Sequence, residues 1–125
     1  MKVAVGIGCR SNCPAAVIEA LVRQALGHVP SALPSGLFTL ADKQDEAGLT
    51  EAANRLGLKL AYLTRDALKA READIQTRSA HAECRFGVPS VAEAAALAGA
   101  GPASILVVPR LAEGGATCAI ARALP

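Results

Sequence analysis

Lys2-Val3-Ala4-Val5-Gly6-Ile7-Gly8-Cys9-Arg10-Ser11-Asn12-Cys13-Pro14 is the stretch that decides the fold. Residues 2–8 alternate, are rich in β-formers and end in glycine, which predicts a buried strand running into a tight turn. Ser11 and Asn12 are good helix N-caps, and Pro14 is tolerated in a first helical turn. Ile18, Leu21, Val22 and Ala25 then recur at i, i+3, i+4 and i+7, one apolar helical stripe that Gly27 can end. A strand feeding a helix through so short a turn is the opening unit of a layered α/β domain.

The rest of the chain repeats this alternation. Residues 28–35 hold two prolines and two serines and read as a loop; Gly36 to Ala41 reads as a second strand. Asp45 and Glu46 suit the positive end of a helix dipole, Leu49, Ala52, Ala53 and Leu56 make its apolar stripe, and Gly57 can stop it. Leu58 to Leu63 reads as a third strand, followed by a short helix over 65–71 with Thr64 as its cap. Residues 72–86 mix charged and small side chains without a period and read as a functional loop. Ser90-Val91-Ala92-Glu93 has the capping-box pattern, opening a helix with Val91, Ala94, Ala95 and Ala98 on its narrow apolar face. Ser104 to Val108 is a strand, 109–115 a turn, and Thr117 to Ala123 a last strand. The last two strands are too close in sequence for a crossover, so they pair antiparallel. The expectation is one α/β domain spanning 1–125. It has three layers, α/β/α, around a mostly parallel sheet with an antiparallel C-terminal hairpin at one edge.

Composition narrows the function. A chain of 125 residues can bury a core without disulfides or metal. It is 52% hydrophobic and 2% aromatic, so Ala, Val, Leu and Ile build that core. Phe38, Tyr62 and Phe86 are too few to make a stacking platform for single-stranded nucleic acid. The net charge is +2 and the basic residues are scattered, which predicts neither a nucleic-acid footprint nor a membrane-surface patch. The apolar start is too short for a signal peptide, so the chain is expected in the cytosol, with Cys9, Cys13, Cys84 and Cys118 as thiols. Cys9-x3-Cys13 and His81-x2-Cys84 match no strong zinc template, and no metal is expected.

In open α/β sheets ligands bind outside the carboxyl ends of strands. Gly6 to Ser11, Asp42-Lys43, Gly87-Val88-Pro89-Ser90, Pro109-Arg110 and Arg122 are the segments that can fall there. Two of them lead into helix N-termini, where free N–H groups favour anions. Arg10, Lys43 and Arg110 add charge-assisted donors for carboxylates. Each has a plainer explanation. Gly6 and Gly8 can serve only a tight turn, Ser90 and Glu93 only a cap, and lone Lys or Arg residues are usually solvated. His28 sits beside Pro30 in a polar loop, and His81 has no visible partner. No Ser-His-Asp or Cys-His set stands out. Gly6-x-Gly8-x-x-Ser11 echoes a dinucleotide fingerprint but lacks its third glycine, and Asp42 lies too far on for the usual acidic residue.

Four stretches, in order and together spanning nearly the whole chain, resemble the CobE and CbiG C-terminal family. They are Gly6-Ile7-Gly8-Cys9-Arg10; Lys43 with Glu46, Gly48 and Leu49 as K-x-x-E-x-G-L; Gly87 to Leu97; and Val107-Val108-Pro109-Arg110 with Ala116 to Arg122. The family often has Lys where Arg110 stands. The resemblance implies a role in making the corrin ring of cobalamin. CbiG proteins open a lactone on a cobalt-precorrin intermediate, and carry N-terminal regions that this sequence lacks, so it resembles the stand-alone type. The expected role is to bind a precorrin or corrinoid intermediate as carrier or accessory factor; a precorrin hydrolase or isomerase is the alternative, and a nucleotide-binding module the third reading. Expected ligand contacts are Gly6, Gly8, Cys9, Arg10, Lys43, Gly87, Ser90, Glu93, Arg110 and Thr117, with no cofactor and with other corrin-pathway enzymes as further partners.

Overall fold

The computed structural model describes residues 1–125. Five strands, β1 (Lys2–Cys9), β2 (Leu33–Leu40), β3 (Leu60–Leu63), β4 (Ser104–Glu113) and β5 (Ala116–Ala123), form one sheet in the order β3-β2-β1-β5-β4. β1 pairs parallel with β2, and β2 with β3; β5 is antiparallel to both β1 and β4. Four strands therefore point one way and β5 alone runs against them. The helices are α1 (Ala15–Gly27), α2 (Ala47–Leu56), α3 (Arg65–Lys69), α4 (Ala80–Phe86) and α5 (Val91–Ala100).

The period of two in β1 sorts its side chains between two unlike layers. Val3, Val5 and Ile7 point to α1 and α2, and join Ile18, Leu21, Val22, Leu49 and Ile120 in the main core. Gly6 and Gly8 point the other way, under α5. A Cβ on Gly6 would overlap the Ala92 carbonyl oxygen, so α5 lies almost backbone to backbone on β1. Ala92, Ala96, Ala119 and Ala121 complete this thin layer. Gly6 thus serves helix packing.

Several sequence expectations change, beginning with β2, which starts at Leu33 inside the segment expected as a loop. Residues 72–86 are loop only in part: a 3₁₀ turn covers Glu72–Asp74, and after an irregular stretch Ser79 accepts an N–H bond from Ala82 and starts α4, which Gly87 at φ 79° stops. The segment 109–115 is mostly strand. β4 runs to Glu113, with register shifts between Leu106 and Val108 and between Val108 and Leu111 that bend it around Pro109. The turn itself is Gly114-Gly115, both at positive φ, as a two-residue hairpin turn of type I′ requires. The second helix begins at Ala47 and leaves Glu46 outside it.

Candidate functional site

The carboxyl ends of β1, β2 and β4 meet at one edge of the sheet, and a groove of about 870 Å³ opens there. That volume falls in the upper part of the range of small-molecule sites, roughly 300–1,000 Å³. Gly8, Cys9, Arg10 and Ser11 follow β1; Lys43 follows β2; Arg110 and Ala112 to Thr117 come from the β4–β5 hairpin. Ser79, His81, Ala82, Arg85 and Phe86 of the α4 region face them, and Ser90 and Val91 form the floor at the start of α5.

Local bonds hold these walls. The Arg10 N–H donates to Gly115 O at 2.8 Å, tying the loop after β1 to the hairpin tip. Thr117 Oγ1 donates to Gly8 O at 3.3 Å. Ser90 Oγ accepts from Glu93 N at 3.2 Å, the first half of a capping box.

The second half is missing, because Glu93 is used elsewhere. Its side chain is 0% exposed. Oε1 accepts the N–H groups of Gln76 at 2.7 Å and Thr77 at 2.9 Å, and Oε2 that of Arg110 at 2.8 Å. A buried carboxylate with three backbone donors ties the segment leading to α4 to the bend of β4, behind the groove. Glu93 is not among the lining residues.

The K-x-x-E-x-G-L stretch becomes intelligible residue by residue. Glu46 Oε2 accepts the Asn12 N–H at 2.8 Å, where Asn12 stands at φ 62°. Gly48 lies against the Cys13 carbonyl, which a Cβ would overlap. Leu49 is in the core. Lys43 ends the 3₁₀ turn Ala41–Lys43 and is only 7% exposed. Its Nζ lies 5.0 Å from the centre of the Phe86 ring and belongs to no ion pair.

Arg10, Arg85 and Arg110 likewise form no ion pair, and Glu113 is the one carboxylate among the lining residues. The groove therefore carries a net positive field. Burial pushes the Cys9 thiol up to about 11, against the pull of the Lys43 charge. Cys9 is thus a neutral polar contact near neutral pH and not a thiolate. Nowhere do three or more His, Cys, Asp or Glu side chains gather as a metal site, and no helix is long and apolar enough to cross a membrane.

Of the residues singled out in the sequence, Gly8, Cys9, Arg10, Lys43, Ser90, Arg110 and Thr117 come together here. Gly6 lies under α5, Glu93 behind the groove, and Gly87 at the end of α4, where a Cβ would press on the Lys69 side chain at 2.9 Å. Sequence reasoning missed His81, Arg85 and Phe86 as a wall. The signal present was Ser79 three residues before Ala82, a cap without an apolar stripe behind it.

Residues 3–121 match the family described as "Cobalamin synthesis G C-terminus". The chain belongs to that family. Its place in cobalamin synthesis follows, and relatives agree. A curated Protein CobE from Sinorhizobium sp. is 30% identical over 120 residues, covering 94% of this chain and 77% of the relative. The crystal structure of CobE, a protein from the cobalamin (vitamin B12) biosynthetic pathway, superposes with a TM-score of 0.89 at 34% identity, over 98% of this chain and 90% of that one. The cobalamin biosynthesis protein chiG from Agrobacterium tumefaciens str. C58 superposes at 0.75 with 37% identity, over 98% and 99%. Within the matched residues, Gly8-Cys9-Arg10 is the β1 edge of the groove, and Val107-Val108-Pro109-Arg110 is the bent part of β4.

Proposed function

We propose that the groove binds a polycarboxylate tetrapyrrole, a corrin-ring intermediate, which the protein holds as a carrier or accessory factor in cobalamin synthesis. One observation carries this reading: four cationic side chains, Arg10, Lys43, Arg85 and Arg110, line a single groove without a carboxylate paired to any of them. Cations held apart from protein carboxylates are free to receive those of a ligand, each through a charge-assisted hydrogen bond. Precorrins carry acetate and propionate arms around a large ring, and a groove of about 870 Å³ suits such a shape better than a small metabolite. The neutral Cys9 thiol favours binding over nucleophilic attack.

Absorbance titration of the protein with hydrogenobyrinic acid, followed by gel filtration, tests the reading. Co-elution of an unchanged chromophore is the expected result. A new spectrum with a new product would shift the assignment to a precorrin-converting enzyme. A chromophore that neither binds nor changes would remove the basis for the groove as a corrinoid site. Arg10→Ala should weaken binding by about tenfold, the loss of one charge-assisted bond.

A further inference from the structure

We infer that Lys43 and Arg85, gathered around the ring of Phe86, form a dedicated carboxylate subsite within the groove. It takes one acidic arm of the ligand. This rests on the reading of the groove as a polycarboxylate site, and gives α4 a role that the sequence did not suggest.

Phe86 ends α4, with its ring between the groove and the small core of Leu40, Leu68 and Val88. Three cations lie near that ring: Lys43 Nζ at 5.0 Å, Arg85 Cζ at 5.5 Å and Arg65 Cζ at 6.0 Å from its centroid. Arg65 is neutralised by Asp42 and is not a lining residue. Lys43 and Arg85 both line the groove and have no counter-charge. Phe86 offers each a weak electrostatic partner that leaves its N–H donors unused.

Lys43 is the unusual member. Lys43 is buried over most of its length, and no oxygen atom of the protein partners its ammonium. Every side-chain N or O that is fully shut off from solvent has a partner, so the Lys43 head retains an opening, and that opening is the groove. A carboxylate arriving there would supply the missing charge and acceptor together. Strongly hydrated lysine suits a point contact with one oxygen, while the Arg85 guanidinium can fork onto two.

The wall carrying Arg85 and Phe86 is tethered at both ends. Glu93 holds Gln76 and Thr77 just before it, and the Ser79 N–H donates to Pro89 O at 2.8 Å across its base. The Lys43 side of the subsite is held by burial. Lys43 and the backbone that carries Arg85 are therefore placed before the ligand arrives, which reduces the ordering cost of binding, while the exposed Arg85 side chain is left to close on the carboxylate.

A double-mutant cycle with Lys43→Met and Arg85→Gln tests the subsite, using hydrogenobyrinic acid as chromophore and circular dichroism to check the fold. Each single change should weaken binding about ten- to hundredfold, and the double change by clearly less than the product, because both remove the same arm's anchor. Tight binding by Lys43→Met, with wild type also binding, would overturn the subsite and leave the corrinoid reading standing. Should wild type fail to bind the chromophore, the corrinoid reading falls alone. The subsite is then decided by tricarballylate, a ring-free polycarboxylate, titrated into protein with ¹⁵N-labelled lysines. Movement of the Lys43 Nζ resonance, absent in Arg85→Gln, supports it; no movement overturns it.

Discussion

Two cations in this molecule are equally hidden and treated in opposite ways. Arg71 and Lys43 are each 7% exposed. Arg71 sits beyond α3, at the far end of α5 from the groove. Its Nη1 donates to Leu97 O at 3.0 Å, to Gly101 O at 2.5 Å and to Ser104 Oγ. Its Nη2 donates to Ser104 O at 3.0 Å and to Asp74 at 2.8 Å. One guanidinium thereby closes the carbonyl end of α5, where cations are favoured, and ties it to the start of β4. Lys43, near the opposite end of the same helix, has an aromatic ring and no oxygen. The contrast separates a cation used to hold the fold from one kept available. A buried charge with a full set of acceptors is architecture; a buried charge without them points outward to a ligand.

The sharpest way to break the comparison is to remove each charge and measure stability. Arg71→Met should cost roughly 3 kcal/mol in urea unfolding, since it removes every guanidinium bond at the end of α5, leaves Asp74 without its partner and leaves the Ser104 hydroxyl alone to serve Leu97 O and Gly101 O. A cost below about 1 kcal/mol would mean that water replaces the guanidinium and that the two cations are alike. Lys43→Met should behave in the opposite sense: a change within about 1 kcal/mol, or a gain, because the substitution relieves an unpaired charge and keeps the apolar stem. Marked destabilisation would show Lys43 to be structural after all.

The smallest effect belongs to a third cation, Arg65, which is exposed and paired with Asp42 at 2.5 Å. The hydrogen bond from Arg65, aided by its charge, holds the Asp42 carboxyl below the usual carboxylate range. A carboxyl depressed in the folded state contributes stability above its unfolded value, and that contribution fades as pH falls through the depressed one. Exposure makes it slight. Carboxyl NMR should find Asp42 titrating at higher pH in Arg65→Gln than in wild type; an unmoved midpoint would mean the pair is not formed in solution.

The alternating strand from Lys2 and the periodic helices α1, α2 and α5 were legible because one residue period decides each. So were Cys9, Arg10, Lys43 and Arg110 as neighbours, once strand ends are known to gather ligand sites. The remainder depended on partners remote in sequence. Glu93 looked like the second half of a cap because Ser90 stands three before it, yet its oxygens went to Gln76, Thr77 and Arg110, which no local pattern connects. Arg71, at the end of the short helix expected over 65–71, drew no reading of its own. Helix α4 was hidden because none of its seven residues is buried, so it shows no apolar stripe. Pro109 suggested a turn, whereas β4 is an edge strand, where a missing N–H is tolerated.

The position of β5 has a consequence for the order of assembly. This last strand in chain order is not at a margin; it is inserted between β1 and β4, with Gly8 opposite Thr117 and Cys9 opposite Ala116. A nascent chain emerging from the ribosome can pair β1 with β2 and β3 early, but one flank of β1 stays unsatisfied until residues beyond 115 have been made. Closing that register brings together segments more than a hundred residues apart, the kind of pairing that is slow to form. The groove comes into being with that same step, so a partly synthesised chain has no place to hold a ligand.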